Sequence, residues 1–299
     1  MKNKVLFHLS NNKSLVRNIS NKIDISVGEL EINKFADGET LVRIISDIKD
    51  KDVYVIQSIS KPTSESLMEA LIFANAAKNK GAKSITLISP YMGYSRQDRI
   101  AKDGEPITSQ LVGELISISG FTSFYTFDIH TLKTIEYFKI DAKNISSSDI
   151  FASYYQKLLK EKHIDYNDVV IVSPDHGSFN RGQELSKKLK GSSFAIISKY
   201  RPKPNEAKSI KIDGDVNNKH AIIVDDIIDT AGTLIGAISL LKQKNAKSIF
   251  VCATHGLFSV DSSKLKELVD DLVVTDSVNQ KDDVKVLSLT DEIIKIIEK

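Results

Sequence analysis

Residues 221–241 read AIIVDDIIDTAGTLIGAISLL, and the interpretation of this stretch decides the fold. The apolar, β-branched run from Ala221 reads as a strand buried on both faces, ending in Asp225 and Asp226. A third acid, Asp229, precedes the small residues Thr230, Ala231, Gly232 and Thr233, and an amphipathic helix follows. Open α/β sheets bind ligands where strands end and loops lead into helices. Successive backbone N–H groups at such a place, two hydroxyls and a helix N-terminus can wrap a phosphate, and Gly232 permits close approach. Carboxylates would repel that phosphate unless they serve another group. Neighbouring sugar hydroxyls suit them, because a carboxylate accepts and never donates. A bound Mg²⁺ offsets the remaining charge. The stretch therefore points to a phosphorylated ribose, with the loop on the 5-phosphate and Asp225 and Asp226 on the 2- and 3-hydroxyls. The competing reading is a capped helix, with Asp229 or Thr230 as N-cap and the acids near its positive end.

Working outward, the chain has 299 residues, enough for two domains, and 41% hydrophobic residues, enough for a core. Its 41 basic and 39 acidic residues leave a net charge of +2. Such balance provides no whole-protein field for nucleic acid or an anionic membrane, so neither is expected as a partner. No apolar run approaches roughly 18 residues, and the N-terminus does not read as a signal peptide, so a cytoplasmic location is expected. The single cysteine, Cys252, lies in the apolar run IFVCAT and reads as a buried small hydrophobe.

Short β-branched runs recur at 53–58, 84–90, 123–129, 169–175, 221–226, 248–254 and 272–277. Helix-like segments at 64–81, 109–120 and 151–162 alternate with them. This alternation predicts mostly parallel sheets flanked by helices. There is also an internal echo. Gly81-Ala82-Lys83-Ser84-Ile85 and Asn245-Ala246-Lys247-Ser248-Ile249 each join a helix to a strand, after another strand–loop–helix. Two related α/β domains follow from it, and the first copy lacks the acidic cluster, so the fold does not require those acids. The division is expected at 1–146 and 147–288, with a C-terminal helix at 289–299. The charged, proline-bearing stretch 200–218 reads as a flexible loop.

DDIIDTAGT resembles the binding loop shared by phosphoribosyltransferases and phosphoribosyl pyrophosphate synthetases. NKFADGE (33–39), PYMGYSRQDR (90–99), FDIH (127–130), SPD (173–175) and the run from Lys199 to Glu206 resemble ribose-phosphate pyrophosphokinases of the phosphate-activated class. The resemblance spans nearly the whole chain, in order. It implies two phosphoribosyltransferase-like domains and a diphosphoryl transfer from Mg·ATP to the C1 hydroxyl of ribose 5-phosphate. It implies an ATP site of Phe35, Asp37, Glu39, Arg96, Gln97, Asp98, Arg99 and His130, with His130 and Asp175 holding Mg²⁺. Asp225, Asp226, Asp229, Thr230, Ala231, Gly232 and Thr233 would bind ribose 5-phosphate. Lys199 and Arg201 would be catalytic, stabilising charge on the moving diphosphoryl group. A homo-oligomer of dimers assembling to a hexamer is implied too, with the C-terminal helix returning to the first domain. Taken without the resemblance, the 33–39 segment reads as a turn between strands, His130 as structural, and Lys199 and Arg201 as solvated charges.

Two departures stand out. Ile100 follows Arg99 where the family usually has another basic residue, and Ser178 stands where a second glycine is frequent after Asp175. The rival readings are a phosphoribosyltransferase, which would consume the product, and a non-catalytic regulatory relative.

Overall fold

The structure is a computed structural model, and it describes residues 1, 3–200, 209–259, 263–280 and 284–299. The chain divides into two compact units. Unit 1 holds Met1–Ile145, Asp276–Asn279 and Ser288–Lys299, and unit 2 holds Ser146–Thr275 and Gln280–Leu287.

In unit 1, β1 (Lys4–His8), α1 (Lys13–Lys22) and β2 (Ser26–Val27) lead to a hairpin of β3 (Leu30–Lys34) and β4 (Thr40–Ile44). Then come β5 (Asp52–Ile56), α2 (Thr63–Asn79), β6 (Ser84–Ser89), α3 (Thr108–Ser119), β7 (Ser123–Phe127) and β8 (Asp141–Ile145). The six-stranded sheet runs β2-β1-β5-β6-β7-β8, with every pair parallel.

Unit 2 comprises α4 (Ser148–Glu161), β9 (Val169–Ser173), α5 (Phe179–Lys188), β10 (Ser193–Tyr200), β11 (Ser209–Asp213), β12 (His220–Ile228), α6 (Gly232–Gln243), β13 (Ser248–Gly256), α7 (Ser263–Glu267), β14 (Asp271–Thr275) and β15 (Lys285–Leu287). Its seven-stranded sheet runs β11-β10-β9-β12-β13-β14-β15. Only the β10–β11 pair is antiparallel. Setting β11 aside, the two orders correspond strand for strand, so the internal echo of the sequence is a repeated topology.

Side chains along a strand alternate between faces, and the second core shows it residue by residue. Ala221, Ile223, Val251 and Val274 pack with Leu234, Ile238 and Leu241 of α6. Ile222, Val224, Phe250 and Val273 pack with Tyr155 of α4 and Leu185 of α5. Cys252 belongs to that second cluster and is a buried free thiol. Continuous apolar strands arise because both faces are covered.

In unit 1, α8 (Thr290–Glu298) packs against α1. Lys22 meets Asp291 at 2.7 Å, and Lys4 donates to the Ile297 carbonyl. No described helix is long and apolar enough to cross a membrane.

Two sequence expectations need correction. The stretch 200–218 is not one loop: Ser209–Asp213 forms β11, paired with β10 from Ser209↔Tyr200 to Asp213↔Ile196. The alternation S-I-K-I-D supports a strand, but proline, glycine and asparagine on either side mask it. Residues 201–208, including Arg201, lie outside the described residues. The acidic strand also runs on to Ile228, two residues past Asp226, since Ile227 and Ile228 keep β-branched character.

Candidate active site

The chain leaves β9 toward β10 on one side, and leaves β12 toward β13 on the other. Loops diverging in this way open a crevice at the strands' carboxyl ends. Residues 174–178 line one edge and residues 229–231 the other.

On the β9 side the chain ties itself into a tight turn. Ser173 Oγ donates to the Asp175 carbonyl at 2.7 Å, and Asp175 Oδ1 accepts the Ser178 amide at 3.2 Å. Ser178 is the N-cap of α5, yet its hydroxyl does not cap that helix. It donates instead to Asp225 Oδ1 on β12 at 2.5 Å. The Asp226 amide donates to the same oxygen at 2.9 Å.

Asp226 continues the strand face that meets α4 and α5, and there it finds Arg181. Their side chains approach to 3.7 Å and are 7% and 17% exposed. Arg181 also donates to the Gly177 carbonyl at 3.3 Å. The two carboxylates thus have different environments. Burial and the neighbouring Asp226 charge push the Asp225 carboxyl up to about 8, against the opposing pull of the Ser178 hydroxyl. Asp175 adds further negative field.

On the β12 side, α6 begins after Ala231, which sits in the left-handed region at φ 58°. No side chain caps this helix. Asp229 Oδ1 accepts the Ser259 amide at 3.3 Å. The helix-cap reading of Asp229 and Thr230 therefore fails: neither is the cap. A Cβ built on Gly232 would meet nothing within 4 Å, and Thr230, Gly232 and Thr233 are exposed. Helix-terminal amides facing open space are a ready anion site.

Among the described residues no group of three or more His, Cys, Asp and Glu side chains is arranged to hold a metal alone. The local charge nonetheless fits Mg²⁺. Asp175 and Asp226 both crowd the Asp225 carboxyl, only Asp226 is shown paired with Arg181, and Mg²⁺ is usually bound by one or two carboxylates together with substrate phosphates.

In unit 1 the candidate residues lie beyond the carboxyl ends of β6 and β7. Arg96, Gln97 and Arg99 are exposed after β6. Gln97 is fixed by accepting from the Thr108 hydroxyl and the Ser109 amide. Asp98 Oδ2 accepts the Thr131 hydroxyl at 2.5 Å, which ties this turn to the loop carrying the exposed His130. Phe35, Asp37 and Glu39 form the tip of the β3–β4 hairpin, with Phe35 55% exposed. The tip closes on itself through Phe35 N to Glu39 O at 2.9 Å and Glu39 N to Asp37 Oδ1 at 3.1 Å.

Known proteins resemble this chain over nearly its whole length. Residues 4–120 match the N-terminal domain of ribose phosphate pyrophosphokinase, and residues 141–290 match the phosphoribosyl transferase domain. A ribose-phosphate pyrophosphokinase of Mycoplasma genitalium is 42% identical over 285 residues, covering 93% of this chain and 84% of that protein. One of Bacillus caldolyticus is 39% identical over 297 residues, covering 97% and 90%. The chain belongs to the ribose-phosphate pyrophosphokinase family. A crystal structure of phosphoribosylpyrophosphate synthetase from Mycobacterium smegmatis superposes with a TM-score of 0.90 at 30% identity, covering 99% of this chain and 98% of that one.

Within this family frame, unit 2 brings together Asp175, Asp225 and Asp226, beside the open loop from Asp229 to Thr233. Lys199 lies in β10 opposite Ile210, on the far side of β9 from the acids. Sequence reasoning noted Ser178 only as a departure from a second glycine, and it did not foresee three contacts. Ser178 and Arg181 hold the acidic pair, and Thr131 holds Asp98. Each is an ordinary polar residue whose partner lies 33 to 47 positions away, as with Thr131–Asp98 and Ser178–Asp225. No local spacing announces such a pair.

Proposed function

We propose that this chain is a ribose-phosphate diphosphokinase, converting ATP and ribose 5-phosphate to AMP and 5-phosphoribosyl 1-diphosphate. The observation that carries this reading is the uncapped start of α6, open at Gly232, beside the paired carboxylates of β12. The amides from Thr230 to Thr233 receive the 5-phosphate, while Asp225 and Asp226 accept the ring hydroxyls. The anomeric hydroxyl attacks the β-phosphorus of ATP. A C1–O–Pβ linkage forms as the bond from Pβ to the α,β-bridging oxygen breaks, and AMP leaves with that oxygen.

Arg96, Gln97, Asp98, Arg99 and His130 of unit 1, with the hairpin residues Phe35, Asp37 and Glu39, are assigned to ATP. Lys199 and Arg201 are assigned to the charge developing on the transferred group. Mg²⁺ is assigned to His130 and Asp175, and when bound it would neutralise phosphate charge. Exposed Phe35, with Leu111 and Ile118 on α3, supports self-association, with the hexamer as the expected form.

The test is ³¹P NMR of the purified protein with ATP, Mg²⁺, inorganic phosphate and ribose 5-phosphate. AMP and a sugar diphosphate appearing only with the sugar is the expected result. ADP in their place would refute diphosphoryl transfer.

A further inference from the structure

Ser178 makes an unusual choice for a serine at a helix start. The N-cap hydroxyl ordinarily accepts an amide of its own helix, as such caps do across proteins. Here it is turned away from α5 and given to a carboxylate on another strand. The residue is 1% exposed, and its backbone amide is itself held by Asp175 Oδ1. A hydroxyl this enclosed, on a turn this constrained, has little freedom to leave its partner.

The consequence falls on Asp225. Its two donors, Ser178 Oγ and the Asp226 amide, both address Oδ1. The Asp226 side chain is the other hydrogen-bonding neighbour of this carboxyl. Oδ1 is therefore anchored both to the start of α5 and to its own strand. Arg181, one turn further along α5, engages the neighbouring Asp226. The start of α5 thus sets the orientation of both carboxylates without offering them a shared donor.

We propose that Ser178 is a positioning residue for the sugar: it locks Asp225 through Oδ1 and so fixes the direction in which the carboxyl meets a ring hydroxyl of ribose 5-phosphate. This inference rests on the functional reading above and extends it to a residue with no direct role in the transfer. Without the hydroxyl, Asp225 keeps one donor, can rotate, and loses the interaction that favours its charged form. The sugar then meets a poorer acceptor, while ATP does not.

The experiment is steady-state kinetics of the full-length wild type, Ser178→Ala and Ser178→Cys, with both substrates varied. It is run at several pH values, and 2-deoxyribose 5-phosphate serves as an alternative acceptor. Melting temperatures accompany each protein. For S178A the KM for ribose 5-phosphate should rise roughly fivefold to tenfold, the worth of one ordinary hydrogen bond. The KM for ATP should stay within about twofold, the acidic limb for the sugar should move to higher pH, and the preference for ribose over deoxyribose should shrink. S178C keeps the size of the side chain but offers only a weak S–H donor, so it should fall between the two. That gradation still decides the matter if S178A does not fold.

Unchanged sugar kinetics and sugar preference in an active S178A would overturn the inference. So would an equal loss for both substrates with a lower melting temperature, which would mark Ser178 as structural. Absence of turnover by the wild type would sink the functional reading and the inference with it, which distinguishes that failure from the others.

Discussion

The two crevices of this protein share one topology and meet opposite fates. In unit 1 the corresponding divergence lies between β1 and β5, and the protein fills it with its own side chains. Gln57, Ser58 and Ser60 are buried there. Asn12 Oδ1 accepts the Ser58 amide at 2.8 Å, and Gln57 Oε1 accepts the Asn11 amide at 3.0 Å. Gln57 in turn donates to Glu69 at 3.0 Å. Residues 276 and 277 close over it, with Ser58 Oγ donating to the Ser277 carbonyl. In unit 2 the equivalent space has a small-residue turn that is open at Gly232 and two carboxylates that crowd each other. One crevice is closed by its own side chains, and the other keeps Thr230, Gly232 and Thr233 exposed beside its carboxylates. What differs is how far the loop is left open.

The strongest way to break this comparison is to neutralise the open crevice. D225N should lower kcat/KM for ribose 5-phosphate by about 10²–10³-fold, a loss typical of removing preorganised electrostatics. The melting temperature should hold or rise, because the crowding with Asp226 is relieved while the Asp226–Arg181 pair stays intact. Loss of stability instead would mean that Asp225 is structural.

The filled crevice should answer the other way. Q57A removes the partner of the Asn11 amide and leaves Glu69 with the Ser10 amide, and should cost about 2 kcal/mol of stability by chemical denaturation. Turnover per folded molecule should change less than twofold. A large kinetic defect in folded Q57A would show that the first crevice also binds substrate.

G232A separates space from charge. A methyl group here meets no protein atom, so the melting temperature should not move. The KM for ribose 5-phosphate should nevertheless rise roughly tenfold, since the methyl displaces a phosphate hydrogen-bonded to the loop amides. A smaller effect is expected for T131A, which frees Asp98. The KM for ATP should rise by about threefold with sugar kinetics intact, placing nucleotide binding at the β6 and β7 loops and not in the filled crevice.

The finest distinction lies in pH. The Asp225 carboxyl titrates near 8 in the fold against 3.8 ordinarily, so the folded state binds more protons than the unfolded one between those values. Stability attributable to this group is fully present below the lower value and declines as pH rises toward about 8. The melting temperature of wild type relative to D225N should drift downward over that window and flatten above it. An upward drift would contradict the crowded-carboxylate description.

Much of the fold was legible because its information is local. Strands covered on both faces must be apolar throughout, so β9, β12 and β13 stand out in the sequence as uninterrupted β-branched runs. Phosphate loops need small residues in chain order, so Thr230 to Thr233 could be read directly. β11 was hidden because it is a polar edge strand, paired on one side only. It carries a pattern of five residues among turn formers. The nature of the 33–39 segment as a hairpin tip was open in the sequence, because turn chemistry and ligand chemistry use the same acids and glycines.

By itself the sequence determined the alternation of strands and helices, the duplication, and the place where a phosphate and a sugar could be held. Those properties follow from periodicity and from residue types that are contiguous in the chain. Only the tertiary structure decided which donors the acids receive and which of two equivalent crevices stays open. Ser178 and Arg181 acquire their partners on β12 because β9 pairs beside it, an adjacency set by sheet order. Hydrogen bonds and desolvation act across space, and a chain's linear order does not record them.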